Sequence, residues 1–181
     1  QIRVIRDRLG LPTVCAMSGS FVQRGEAAVF SKNARAEAAV KCGADLVLEL
    51  PVSRVLSSAE GFARGGVELL AAAHCDTIAF GSECGDIDAL QAVTDVLCED
   101  NIMSTIKHHL GSGVTYARAR QLAAAERLGD TAKLLEQPNN TLAVEYLKAI
   151  AAQRVDITPY TISRIGAAHD GEAAGEYASA T

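Results

Sequence analysis

The chain has 181 residues, enough for one substantial core or a core with a helical addition, and 49% of them are apolar, with no Trp. That composition excludes a disordered chain and suits an Ala-rich α/β domain. A net charge of -5 argues against holding nucleic acid by bulk electrostatics. No apolar run reaches membrane-spanning length and no signal-peptide pattern opens the chain, so a cytoplasmic protein without a membrane partner is expected.

Ile2, Ile5 and Leu9 fall on one helical face with Gly10 placed to stop it, which predicts the closing turns of a helix. Pro12 to Met17 reads as a strand ending at Ser18-Gly19, where small residues let backbone approach a ligand closely. The loop that follows concentrates Gln23, Arg24, Gly25 and Glu26 around a single apolar pair. Guanidinium matches phosphate geometry best among side chains, so Arg24 and Gln23 are candidates for a phosphate or carboxylate contact; a plain Arg-Glu surface loop is the alternative. Ser31 caps a predicted helix closed at Gly43, and Asp45 to Pro51 reads as a buried parallel strand.

A helix over residues 59–74 is expected to turn Phe62, Leu69, Leu70 and Ala73 inward, its glycines marking close packing on a sheet. Thr77 to Glu83 is a third strand, and Asp86 caps a helix with Ile87, Leu90, Val93 and Leu97 inside. Between residues 101 and 136 the alternation lapses into two helices, 102–110 and 115–128, whose Arg118, Arg120 and Arg127 read as a solvated face. Pro138-Asn139-Asn140 opens a helix to about Ala152, either as an ordinary cap or with amide and free N–H groups turned to a ligand. A last strand, 156–162, leads to Arg164, a possible phosphate ligand, and residues 166–181 form a mobile-looking tail. Four strands separated by helices indicate a right-handed parallel α/β sheet, with ligands beyond its carboxyl ends. There is no P-loop and no G-x-G-x-x-G, and Ser18 lacks a His-acid partner for a serine nucleophile. The four histidines are too scattered for a metal cluster, and the five cysteines show no metal spacing and read as reduced, small core hydrophobes.

Four segments taken together resemble the bacterial tRNA(Met) cytidine acetate ligase family of the nucleotidyltransferase superfamily. They are Met-Ser-Gly-Ser-Phe-Val-Gln-Arg-Gly-Glu (17–26), Gly-Ala-Asp-Leu-Val-Leu-Glu-Leu-Pro (43–51), Phe-Gly-Ser-Glu (80–83) and Gln-Pro-Asn-Asn-Thr-Leu-Ala-Val-Glu-Tyr-Leu-Lys-Ala-Ile (137–150), with Arg164-Ile165 completing the set. The resemblance implies a Rossmann-like parallel sheet of the nucleotidyltransferase (HUP) type with a helical insertion: a core over residues 1–165, the insertion at about 101–136, and a tail leading to a further C-terminal region. It implies ATP, with Mg2+, as cofactor, and acetate and elongator tRNA(Met) as partners. Acetate is activated as acetyl-adenylate and passed to the wobble cytidine. By the family's pattern Gly81, Asn139, Arg164 and Ile165 contact ATP, and Ser18 and Gly19 are expected beside it at the first strand end.

Ser20 stands where the family has Asn, and Ala27 where it often has Pro. The family's opening strand and its Tyr-Asn-Pro-Phe-His-Asn-Gly-His type segment are not in this sequence, and Ser179-Ala180-Thr181 matches only the start of a Ser-Ala-Thr-x-Ile-Arg motif. A fragment lacking a strand in the middle of the sheet, and catalytically incomplete, is therefore expected. Another adenylyl- or cytidylyltransferase of small substrates, or a non-catalytic nucleotide-binding module, shares the same sheet and stays open.

Overall fold

The structure, a computed structural model, describes residues 1–164. The predicted tail and Ile165 lie outside the described residues. The element order is α1 (Ile2–Leu9), β1 (Val14–Ser18), α2 (Lys32–Lys41), β2 (Leu46–Leu50), α3 (Val52–Val55), α4 (Ala59–Ala72), β3 (Thr77–Ser82), α5 (Ile87–Leu97), α6 (Ile102–Leu110), α7 (Tyr116–Leu128), α8 (Pro138–Gln153) and β4 (Thr158–Ser163), with a 3-10 segment over Gly129–Glu136. Local chemistry sets most boundaries. The side chains of Ser31, Ser58, Asp86 and Thr115 accept backbone N–H bonds in the first turns of α2, α4, α5 and α7. Gly10 ends α1 in the left-handed conformation, as its position predicts.

All four strands run parallel, but as two pairs. Val14 to Ser18 of β1 lie opposite Leu46 to Leu50 of β2, and Thr77 to Ser82 of β3 opposite Thr158 to Ser163 of β4. No ladder joins the pairs among the described residues. This is the parallel α/β architecture expected. Pro159 sits in β4, which among the described residues bonds to one neighbour, β3, so there its missing N–H breaks no second ladder.

Cohesion is uneven. One apolar cluster joins Val67 and Leu70 of α4, Ile78 and Phe80 of β3, Leu90 and Val93 of α5, Ala143, Val144 and Leu147 of α8, and the inward residues of α6 and α7. Helices α6 and α7 thus share this core. Of the residues expected inward on α4 Leu70 is buried, but Ala63, Gly65, Gly66 and Val67 complete the buried face in place of Phe62, Leu69 and Ala73. Its glycines face side chains, the Arg54 stem at Gly65 and the Tyr146 ring at Gly66, and not a sheet. Tyr146 stacks on Phe80 at 5.4 Å between ring centroids, and burial pushes its hydroxyl up to about 12. By contrast α1 and α2 have no buried residue. The five cysteines are free; Cys75 and Cys84 are half-buried against the apolar core, whereas Cys42 and Cys98 are exposed, which corrects the reading as core hydrophobes for those two.

The basic helix face is also not simply solvated. Arg120 lies 2.6 Å from the buried Glu145 carboxylate, which Lys148 meets at 2.9 Å. Arg120 Nη2 is buried and makes no aligned hydrogen bond, so the contact is one of charge alone. Arg127 approaches Glu99 and Arg118 approaches Glu136. Replacing Glu145 by Ala leaves the half-buried Arg120 and Lys148 without their shared counter-charge. Breaking a buried pair from one side costs about 3–5 kcal/mol. Urea unfolding of Glu145→Ala should show a loss of that order; a change under about 0.5 kcal/mol means water already solvates the cluster.

Candidate functional site

At the carboxyl end of β3 the chain turns through Glu83, Cys84 and Gly85 to reach the Asp86 cap of α5. Ser82, fully buried, is spent on structure: its hydroxyl lies 2.7 Å from Thr161 Oγ1 and accepts the Gly85 N–H at 2.9 Å. Glu83 faces the start of α8. Its Oε1 accepts from Asn139 N at 3.2 Å and Asn139 Nδ2 at 2.6 Å, and its Oε2 accepts from Asn140 N at 2.7 Å. In return the buried Asn140 Oδ1 accepts from Glu83 N at 2.9 Å and Cys84 N at 3.1 Å. Burial pushes the Glu83 carboxyl up, but the Asn139 and Asn140 donors outweigh it and hold the group below the ordinary carboxylate value.

Two further predicted residues join this corner. Arg164 continues the β4 ladder, its N–H bonding to Ser82 O at 2.9 Å, and its Nη1 reaches Asn139 Oδ1 at 3.3 Å. Gly81 lies beneath it: a Cβ there would stand 3.3 Å from Arg164 Cγ and 2.5 Å from Gln1 Nε2. The structure therefore brings Gly81, Asn139 and Arg164 together at the end of β3 and β4. One expectation is corrected. The first N–H groups of α8 are taken by the Glu83 carboxylate, so they are not turned to a ligand; the amide oxygen of Asn139 and the guanidinium of Arg164 are the outward groups.

The carboxyl end of β1 is built differently. Arg35 of α2 donates to Gly19 O at 2.8 Å and Ser18 Oγ at 3.0 Å, fixing the bend where the strand stops. Glu49 lies so close over Gly19 that a Cβ would fall 2.1 Å from its Oε1, and Lys32 pairs with the same carboxylate at 2.7 Å. From that bend rises a tight antiparallel turn. Phe21 bridges Ala27, Gly25 N bonds to Val22 O at 2.9 Å, and Val22 N bonds to Glu26 O at 2.9 Å. Gly25, at φ 85°, takes the left-handed conformation this turn requires, leaving Gln23 half-buried and Arg24 exposed at the tip. Ser18 and Gly19 thus share one strand end and carry the Gln23–Arg24 turn, while no contact described joins them to Gly81, Asn139 or Arg164. Lys32 and Arg35 carry no signal in the sequence. Glu49 and Glu83 stand at the carboxyl ends of expected strands, within the matching segments 43–51 and 80–83, but their partners there are not legible.

The two strand ends offer guanidinium and ammonium groups and an amide, and no activated nucleophile. Such a set suits neutralising and aligning anions. The profile of the HIGH Nucleotidyl Transferase family matches residues 6–181. A tRNA(Met) cytidine acetate ligase of Caldanaerobacter subterraneus is 47% identical over 174 residues, covering 93% of this chain and 43% of that protein. One of Syntrophotalea carbinolica is 44% identical, covering 96% and 43%. The crystal structure of Thermotoga maritima TmcAL bound with alpha-thio ATP superposes with a TM-score of 0.86 at 35% identity, over 91% of this chain and 42% of that one. The chain spans less than half the length of these relatives.

The Glu83 clamp has a pH signature. A carboxyl whose folded value is lowered stabilises the fold above its ordinary value, and that contribution is lost as pH falls through the lowered one. Between those two values Glu83→Gln should therefore lose less stability on acidification than the parent chain, measured by chemical unfolding at stepped pH. Parallel curves for the two proteins mean the carboxylate is not held by these donors in solution.

Proposed function

Because this chain belongs to the HIGH Nucleotidyl Transferase family, we propose that it forms the ATP-handling part of a ligase that activates acetate and acetylates the wobble cytidine of elongator tRNA(Met). The observation that carries the reading is the convergence of Gly81, Asn139 and Arg164 at one strand end, in a chain so similar to proteins of that name. An acetate oxygen attacks the α-phosphorus of ATP; the new P–O bond forms as the bond to the β-phosphate bridge breaks, and pyrophosphate leaves. The exocyclic amine of cytidine then attacks the acetyl carbon, loses a proton, and AMP departs.

In this reading the nucleotide lies across the carboxyl ends of the strands, against Gly81, Asn139 and Arg164; Ile165, which the resemblance also assigns to ATP, lies outside the described residues. Arg24 and Gln23, on their turn beyond Ser18 and Gly19, meet the phosphates or acetate. Both steps gather negative charge, and guanidinium groups offset it without forming a covalent intermediate. Mg2+ accompanying ATP would neutralise phosphate charge alongside the Arg24 guanidinium. Among the described residues the α7 arginines are drawn to acidic partners, so the tRNA is gripped chiefly by surface other than that helix.

The test is acetate-dependent exchange of pyrophosphate into ATP by the protein expressed from its complete reading frame, together with acetylation of elongator tRNA(Met). Exchange driven by a phosphate ester and not by acetate would instead point to a small-substrate transferase. Arg24→Ala should slow exchange by about 10- to 150-fold, the worth of a charge-assisted hydrogen bond of roughly 1.5–3 kcal/mol, with the unfolding midpoint unchanged. Exchange at the parent rate would remove Arg24 from the site.

A further inference from the structure

We propose that Glu83 is a positioning residue: it fixes the Asn139 amide so that an acceptor oxygen faces a hydrogen-bond donor on the nucleoside part of the nucleotide. The inference rests on the nucleotide reading above and adds to it the chemistry of one contact. An amide can be turned by 180° with little change of shape, so which atom faces outward is ordinarily set by its neighbours. Here the neighbour decides. An ionised carboxylate only accepts, and Glu83 Oε1 lies 2.6 Å from the inner atom of the Asn139 amide. Turning the amide would press its oxygen against that carboxylate. Nδ2 therefore faces Glu83, and Oδ1 faces out.

The carboxylate itself cannot easily move. The same Oε1 accepts Asn139 N, Oε2 accepts Asn140 N at 2.7 Å, and the Glu83 backbone N–H is tied to Asn140 Oδ1 at 2.9 Å. Glu83 is thus held from its main chain and from both oxygens. The outward Asn139 oxygen has one described contact, with Arg164 Nη1 at 3.3 Å, at the long limit for such a bond, and carries two lone pairs. A phosphate at neutral pH has no proton to offer such an acceptor. The nucleoside part of ATP has two sources of donors, the 6-amino group of adenine and the ribose hydroxyls.

Binding of four nucleotides by the protein from its complete reading frame separates the possibilities: ATP, purine riboside triphosphate lacking the 6-amino group, 2′-deoxy-ATP and 3′-deoxy-ATP. In the parent protein one analogue should bind about tenfold more weakly than ATP, the worth of one hydrogen bond, and which one identifies the donor. Glu83→Gln can meet either face of the Asn139 amide, so that analogue's penalty should shrink to about twofold. Asn139→Ala should remove it too while leaving Glu83 its two backbone donors, which covers the case of a misfolded Glu83 variant. A purely capping role would weaken all four nucleotides alike in Glu83→Gln and leave the ratios intact; that result, or four equal affinities in the parent, overturns the assignment. Failure of the parent to bind ATP at all overturns the nucleotide reading and this inference with it.

Discussion

The exchange of hydrogen bonds between the end of β3 and the start of α8 holds the candidate site in place. Glu83 satisfies donors of Asn139 and Asn140, and Asn140 satisfies donors of Glu83 and Cys84. Each side supplies what the other would otherwise leave unpaired, and a half-made exchange would strand buried polar groups at about 1–3 kcal/mol each. Through it the helix that stacks Tyr146 on Phe80 is registered against the strand whose end carries Gly81. Arg164 then has only one place to lie, because its backbone is bonded to Ser82.

Most elements were legible because their signals are local. Ser31, Asp86 and Thr115 stand within a few residues of the N–H groups they cap, and Gly10 stops its helix by its own conformation. The strands announced themselves as short apolar runs between breakers. What escaped depends on residues far apart in the chain. Glu83 and Asn139 are 56 positions apart, so no window of sequence marks Glu83 as the cap of α8. The inward face of α4 was misjudged for the same reason: Arg54 and Tyr146 decide it by packing on Gly65 and Gly66, and glycine carries no hydrophobic signal.

The site divides along the same line. Gly81, Asn139 and Arg164 came from the resemblance and meet in space, whereas residue chemistry alone had left Asn139 and Arg164 close to ordinary surface readings. Arg35 and Lys32 looked like helix charges with nothing to distinguish them, and Glu49 was legible only as an acid near a strand end. Their role emerges only once the end of β1 is seen to need an anchor at Ser18 and Gly19. On α7 the reading as a solvated face holds for Arg118 and Arg127, which stay exposed near Glu136 and Glu99, and fails for Arg120, which lies against the buried Glu145.

The uneven depth of packing has a dynamic consequence. Of β1, only Val14 touches the large apolar cluster, and neither α1 nor α2 buries a residue. Regions with few buried contacts open at a small fraction of the global unfolding free energy. The turn bearing Gln23 and Arg24 therefore rides on a pliable flap, while Asn139 sits on a stiff post. Amide hydrogens of β1 and β2 should exchange with solvent well before those of β3 and α8, and a ligand spanning both strand ends would slow the first set far more than the second.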